Sequence, residues 1–354
     1  MDFPSKLAQL TDRADSNFWQ MLRQEVLPLR PSQYDLTSSC NLSCEGCLFF
    51  SGNDYVEHQD SDDLDRIDSF FSAEAERGVR FAYFGGAEPS MVMPKLAIAA
   101  RHISYGVIFT NGTLRIIDEI PFRIHVSIWG TSARSRKLRG ADILQKQLRN
   151  YRGDRRAIFV LTVTAQNIDD IEPIAAMCAD NDIALTFNHY SPTKRYIGFV
   201  QGEIGKDKYH AFSTESDNLL LQPQHLSRAR EMIDRLLDEP SRYKVIYDHE
   251  FNALIHRPEG LYDDLSQDTA TALDCGVRLT STLRHINTDL SRSHAKCCTP
   301  NVECRTCRLY AQSFATILAR ATRNIRHDGG HERMVRLWRL WCDIFLNNDK
   351  FRSH

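Results

Sequence analysis

Cys40-Asn41-Leu42-Ser43-Cys44-Glu45-Gly46-Cys47 sets three thiols four and three residues apart. Iron–sulfur clusters are held by Cys thiolates, normally four of them. Three in so compact a run would leave the fourth iron of a cubane open to a ligand from outside the protein, and an open iron is a place for chemistry. The competing readings are a zinc site completed by a distant fourth residue, or buried thiols with no metal. Zinc ribbons favour paired short C-x-x-C repeats, whereas here the wider gap comes first and no second pair lies close by.

Outward from this run, strand and helix signals alternate. Tyr34 to Thr37 is an extended apolar lead into the cysteines, and Asp62 to Arg77 carries Leu64, Ile67, Phe70 and Phe71 at helical spacing. Strands are then expected at Val79 to Phe84, Tyr105 to Phe109, Phe122 to Ile128, Ala157 to Val163 and Ile183 to Phe187. Helices are expected at Met91 to Arg101, Ala141 to Tyr151 and Ile168 to Asp180. Such alternation means parallel βα units, here six, and an α/β fold. Parallel βα folds carry their chemistry at the carboxyl ends of the strands. There lie the cysteine run, Gly85-Gly86-Ala87-Glu88-Pro89, Thr110-Asn111-Gly112, Ser127, and Thr164 with Asn167. Each alone reads as ordinary turn punctuation; their recurrence at one end does not.

Over roughly residues 33 to 190 the chain resembles the radical S-adenosylmethionine (SAM) superfamily. The resemblance implies a partial (βα)6 barrel in which Cys40, Cys44 and Cys47 hold a 4Fe-4S cluster. SAM would chelate the open iron and be cleaved reductively to a 5′-deoxyadenosyl radical. Gly86-Ala87-Glu88-Pro89 is similar to the family's Gly-Gly-Glu-Pro motif, whose backbone contacts the methionine amino group, with Ala87 replacing the second glycine. Thr110-Asn111-Gly112 is similar to the strand-three turn, and Ser127 and Asn167 match positions that usually hold the SAM carboxylate or ribose. The SAM-binding set implied is therefore Gly86, Ala87, Glu88, Asn111, Ser127 and Asn167. Gly46 departs from the aromatic residue common before the third cysteine, leaving Phe49 or Phe50 to take over that packing.

A second group comprises Cys275, Cys297, Cys298, Cys304 and Cys307. Thr282 to Ile286 and Ser291 to Lys296 flank Asn287-Thr288-Asp289 as a hairpin, followed by a C-x-x-C and a helix from Leu309 to Arg320. This is similar to the small α+β auxiliary-cluster domain, twitch or SPASM-like, of many radical SAM enzymes, and implies a second iron–sulfur cluster. A four-cysteine zinc site stays open as the alternative. Adjacent Cys297 and Cys298 would point to opposite faces of a strand, so only one of them is expected to be a ligand. Cys178 and Cys342 stand apart as core thiols.

The expected organisation is an N-terminal extension (1–30), the barrel (31–190), a substrate-shaping insert (191–272), the Cys-rich domain (273–320) and a C-terminal helix (321–354). The insert holds an amphipathic helix from Pro223 to Leu237 and a strand from Tyr243 to Tyr247. Glu332 to Phe345 reads as a packing helix. Forty-four Lys and Arg against 46 Asp and Glu give a net charge of −2, which offers no broad footprint for nucleic acid or anionic lipid. No run approaches the length of a bilayer span, and no secretory signal opens the chain, so a cytoplasmic protein is expected. Clustered cysteines then read as metal ligands.

The expected activity is hydrogen abstraction from a small polar metabolite, of sugar or nucleoside type, with a reducing partner such as flavodoxin or ferredoxin. His189, Tyr190, Lys194 and Arg195 follow strand six and are placed to contact such a ligand. Peptide modification is the alternative enzyme reading. A non-catalytic iron–sulfur or zinc protein is the alternative of another class. The catalytic side chains and the step after abstraction are not encoded in these motifs.

Overall fold

Asp63 caps the first long helix, its carboxylate accepting from the amides of Asp65 and Arg66, and Ile67, Phe71 and Glu74 then fall on one buried face. The acid on that face has partners waiting. Tyr34 donates to Glu74 across 2.6 Å, and Arg77 forms a two-pronged ion pair with it. The computed structural model describes residues 16–50, 59–268, 271–276, 283–293, 302–324, 327 and 329–347.

The elements alternate as the periodicity predicts. After α1 (Ser16–Met21) come β1 (Arg30–Asp35), α2 (Leu64–Glu76), β2 (Val79–Gly85), α3 (Met93–His102), β3 (Tyr105–Thr110) and β4 (Arg123–Ile128). There follow α4 (Ser132–Arg139), α5 (Leu144–Tyr151), β5 (Ala157–Val163), α6 (Ile171–Asp180), β6 (Ala184–His189), α7 (Lys194–Val200), α8 (Pro223–Asp238) and α9 (His249–Ile255). Last are β7 (His285–Ile286), α10 (Tyr310–Arg323) and α11 (Gly330–Phe345). Every residue of β5 is buried, as a strand covered on both faces by neighbouring layers must be.

The sheet runs β6-β5-β4-β3-β2-β1-β7 with all pairs parallel. Sequence order and spatial order coincide from β1 to β6, so every βα crossover adds its strand on the same side. Tyr34 points outward onto Phe70 and Phe71 of α2, which leaves Gln33 and Asp35 on the inner face. The lower part of that inner face is filled by the C-terminal helices. Phe345 packs on His125, Tyr83 and Tyr310, and Trp341 packs on Phe81. Arg123 and His125 donate to the Ile344 carbonyl that ends α11.

Three features differ from the sequence expectation. The sheet has a seventh strand: Gln33 and Tyr34 pair with His285 and Ile286, so the hairpin begins inside the main sheet. An open β1 edge presents unpaired amides and carbonyls, and β7 covers it. The turn itself forms, with Asn287 bonded to Ser291 and Ser293 to His285; Lys296 lies outside the described residues. Helix α4 lies between the strand expected at Phe122 to Ile128 and the helix expected at Ala141 to Tyr151, where no element is expected, because its four basic residues mask the helical period. Finally, the expected strand at Tyr243 to Tyr247 reduces to a single bridge between Val245 and Leu185 of β6.

Candidate functional site

The three thiols lie on the loop after β1, and N–H groups meet each of them. Arg139 Nε donates to Cys44 Sγ at 3.4 Å, and Asn111 Nδ2 approaches Cys40 Sγ at 3.9 Å. The Leu42 amide also bonds Cys40, and those of Phe49 and Phe50 bond Cys47. Burial raises the Cys40 thiol and, with the neighbouring Cys44, pushes Cys47 up to about 12. Three adjacent thiolates are unfavourable there without a cation, while the N–H donors suit sulfur carrying negative charge. This donor set fits an anionic iron–sulfur cluster bound by three cysteines. Among the described residues no three Cys, His, Asp or Glu side chains converge tightly enough for a single metal ion.

The loop after β2 supports this one. Gly86 has φ of 93°, and a Cβ there would come within 2.8 Å of the Leu36 amide nitrogen. Only glycine permits this approach of β2 to β1, and it lets the Ala87 amide donate to the Thr37 carbonyl at 2.8 Å. Glu88 is buried. Its Oε1 accepts from the Ser90 amide, Ser90 Oγ and Thr110 Oγ1, and its Oε2 from the Asn111 amide at 2.6 Å. Glu88 thus ties the loops after β2 and β3 together. Asn111 in turn donates to Asn41 Oδ1 at 2.8 Å, which anchors the cysteine loop to β3.

Ser127 and Asn167 are engaged by the protein itself. Ser127 Oγ accepts from Trp129 Nε1, and its carbonyl from Arg139 Nη1 and Gln147 Nε2. Asn167 takes the Thr164 amide on Oδ1 and donates to the carbonyls of Trp129 and Thr162. Its amide holds the ends of β4 and β5 at a fixed separation. Arg139, absent from the sequence-derived set, is buried between Cys44 and Ser127. Its signal was hidden in a run of four cations that reads as a solvated face.

The glycine before the third cysteine also has a structural cause. Gly46 has φ of 58°, and a Cβ would sit 2.1 Å from Tyr190 Oη. Tyr190 donates to the Gly46 carbonyl at 3.1 Å, and Phe50 stacks on Tyr209 at 4.6 Å. The insert grips this loop. Buried Glu45 accepts from the amides of Ala211, Phe212 and Ser213, and the Gly46 amide donates to the Tyr209 carbonyl. Of the other residues after strand six, His189 pairs with His256 at 2.9 Å, Arg195 pairs with Asp207 at 3.1 Å, and Lys194 is exposed.

Asp35 ends β1 on the inner face and accepts from His285 Nε2 of β7 at 2.7 Å. The His285 side chain is 8% exposed, and its buried Nδ1 has no hydrogen-bond partner among the described residues. The bond ties β7 to the carboxyl end of β1. Sequence reading missed this pair because its members are 250 residues apart.

Cys275 and Cys307 meet around buried Tyr262, whose hydroxyl lies 4.0 Å from Cys307 Sγ and bonds Cys275. Cys304 begins the single turn that ends at Cys307. Gly276 sits directly on α10, where a Cβ would meet the Ala315 carbonyl oxygen at 2.3 Å. Cys297 and Cys298 lie outside the described residues. Cysteine thiolates suit iron–sulfur or zinc alike, and in this group Tyr262 links Cys275 with Cys307. A cavity of about 370 Å³ lined by Arg123, Ala157, Ala184 and Lys244 opens at the amino ends of β4 to β6, the opposite end from the cysteine loop.

No known protein family matches the chain, and no curated protein is similar to it in sequence. Solved structures are. Over 75% of this chain and 74% of the other, it is similar to anSMEcpe with bound AdoMet, at 17% identity and a TM-score of 0.51. Over 81% and 64% respectively, it is similar to Streptococcus suis SuiB bound to S-adenosylmethionine, at 15% identity and a TM-score of 0.50. The fold is shared with these two proteins. No helix among the described residues is long and apolar enough to cross a membrane.

Proposed function

We propose that this protein is a radical SAM enzyme. The observation that carries the reading is the cysteine loop at the carboxyl end of β1, where each of three thiols receives N–H donors. A 4Fe-4S cluster held by Cys40, Cys44 and Cys47 would supply the open iron and the electron for reductive cleavage of SAM. The chain contributes position and exclusion. Gly86 lets the backbone of 86–87 lie close to the cysteine loop, and Glu88 keeps the β3 loop in register with it. The Arg139 guanidinium stands between the cluster ligand Cys44 and Ser127, where it favours thiolate sulfur and an incoming carboxylate. Tyr190 and residues 209–213 close over the third cysteine, keeping water from a reactive intermediate.

For the substrate we take a peptide in preference to the small polar metabolite. The support is likeness of fold to anSMEcpe and SuiB, two proteins also solved with peptides, Cp18Cys and the precursor SuiA. We assign the second cysteine group to an auxiliary iron–sulfur cluster, with Cys275, Cys304, Cys307 and one of Cys297 or Cys298 as ligands. Anaerobic reconstitution and reduction with dithionite should yield 5′-deoxyadenosine from SAM, and Cys40→Ala should yield none. Absence of 5′-deoxyadenosine from an iron-loaded wild type would overturn the enzyme reading. Cleavage rates with deuterated peptide and metabolite pools decide the substrate class, because only the true substrate transfers deuterium into 5′-deoxyadenosine. Transfer from the metabolite pool alone would reinstate the small molecule.

A further inference from the structure

The segment that forms α4 and α5, beside the cysteine loop, is more basic than the chain as a whole. Residues 132–156 carry nine Lys and Arg against two Asp, in a protein of net charge −2. Arg139 and Arg156 turn inward. Arg134, Arg136 and Lys137 extend from α4 toward Asp170, Asp142 and Asp217, at 3.8, 3.3 and 3.0 Å. Lys146, Arg149 and Arg152 are exposed, and among the described residues no ion pair engages them. In α5 the buried positions are Leu144, Gln147, Leu148 and Tyr151, so Lys146 and Arg149 face out together.

This surface adjoins the cysteine loop through hydrogen bonds. Helix α4 ends on it: the Leu138 carbonyl accepts from the Glu45 amide at 2.8 Å, and Arg139 donates to Cys44 Sγ. Helix α5 lies along the loop ends of β3 and β4, with Gln147 Nε2 bonded to the carbonyls of Asn111 and Ser127 at 2.7 and 2.8 Å.

We propose that the outer faces of α4 and α5 are the docking surface of an acidic one-electron carrier protein of the flavodoxin or ferredoxin class. The proposal rests on the radical SAM reading above. Complementary charge steers such encounters and orients them. Electron transfer slows steeply with distance, so a carrier gains most by docking beside a ligand loop, and Cys44 lies one side chain beneath α4. One electron leaves the reduced carrier and is taken up at the site held by Cys40, Cys44 and Cys47; no atom moves with it.

The test measures binding of a purified acidic flavodoxin to the anaerobically reconstituted protein, by calorimetry at low and moderate salt. It compares wild type with the triple variant Arg136→Glu, Lys146→Glu, Arg149→Glu. The expected result is that the variant binds about tenfold or more weakly, that salt weakens wild-type binding in the same direction, and that dithionite-driven SAM cleavage is unchanged. Equal flavodoxin affinity in variant and wild type would overturn the proposal. So would a wild type that binds a poly-glutamate peptide or an RNA oligonucleotide through this surface but not flavodoxin. Failure of the underlying reading looks different, since dithionite would then give no 5′-deoxyadenosine with either protein.

Discussion

At the scale of single residues, the cysteine loop depends on positions that are not ligands. Gly46 combines a positive φ with a Cβ direction blocked by Tyr190 Oη and Tyr196. Alanine there must strain the backbone and displace a buried tyrosine whose hydroxyl holds the same loop. Gly46→Ala is therefore expected to lose most of the iron bound at the first site, measured as iron per chain after anaerobic reconstitution in a background lacking the C-terminal cysteines. Gly153→Ala is the control. Its φ of 74° carries a similar backbone cost of about 1 kcal/mol, but nothing lies within 4 Å of the new methyl. Full iron loading in both variants would show that the fit against Tyr190 does not shape the loop. The departure at Gly46 was legible in the sequence; its cause was not, because Tyr190 is 144 residues away.

At the scale of elements, the decisive placement is that of α11 against the inner face. Burial drives the His125 imidazole down to about 3, opposed by its bond to the Ile344 carbonyl and assisted by Arg123. The ordinary histidine value is 6.5. Between these limits the unfolded chain takes up a proton that the folded chain refuses, so stability complete above pH 6.5 is lost as pH falls toward 3. Burial likewise lowers His189 and His256, which contribute to the same window. Chemical denaturation at a series of pH values should show this decline, and His125→Phe should show a shallower one. An unchanged slope in that variant would mean that the carbonyl of α11 does not hold a neutral histidine. The sequence predicts the helix from Glu332 to Phe345 correctly, but it cannot say that its last turn fills the sheet interior, since an apolar stripe suits any apolar partner.

At the scale of the whole molecule, two cysteine groups are joined through one sheet. β7 pairs with β1, whose end opens into the first group, while the chain on either side of β7 carries the second. Removing metal from the second site is therefore expected to destabilise the assembly beyond that site, because metal binding couples to folding. In a variant with Cys40, Cys44 and Cys47 replaced by Ala, anaerobic reconstitution should leave bound iron, and chelation should lower the thermal midpoint. One zinc and no iron would replace the auxiliary cluster with a structural zinc site. A midpoint unmoved by chelation would separate the two groups.

The sequence by itself determined what short-range patterning can encode. Runs such as Ala157 to Val163 and the helical spacing of Ile67 and Phe71 located the six βα units. The strand ends then placed Cys40, Gly86, Asn111 and Asn167 at one end of the sheet, because side-chain period and chain direction are local properties. Only the tertiary structure decided which polar atoms meet. Glu88 and Asn167 hold loops to one another. Asp35 finds His285, and Arg139 reaches Cys44. It also decided where charge is left over: a near-zero total conceals Lys146, Arg149 and Arg152 exposed together on and after α5, because net charge sums over a surface whose signs the fold distributes unevenly. Pairings across tens to hundreds of residues depend on the sheet that brings them together, and no local period records them.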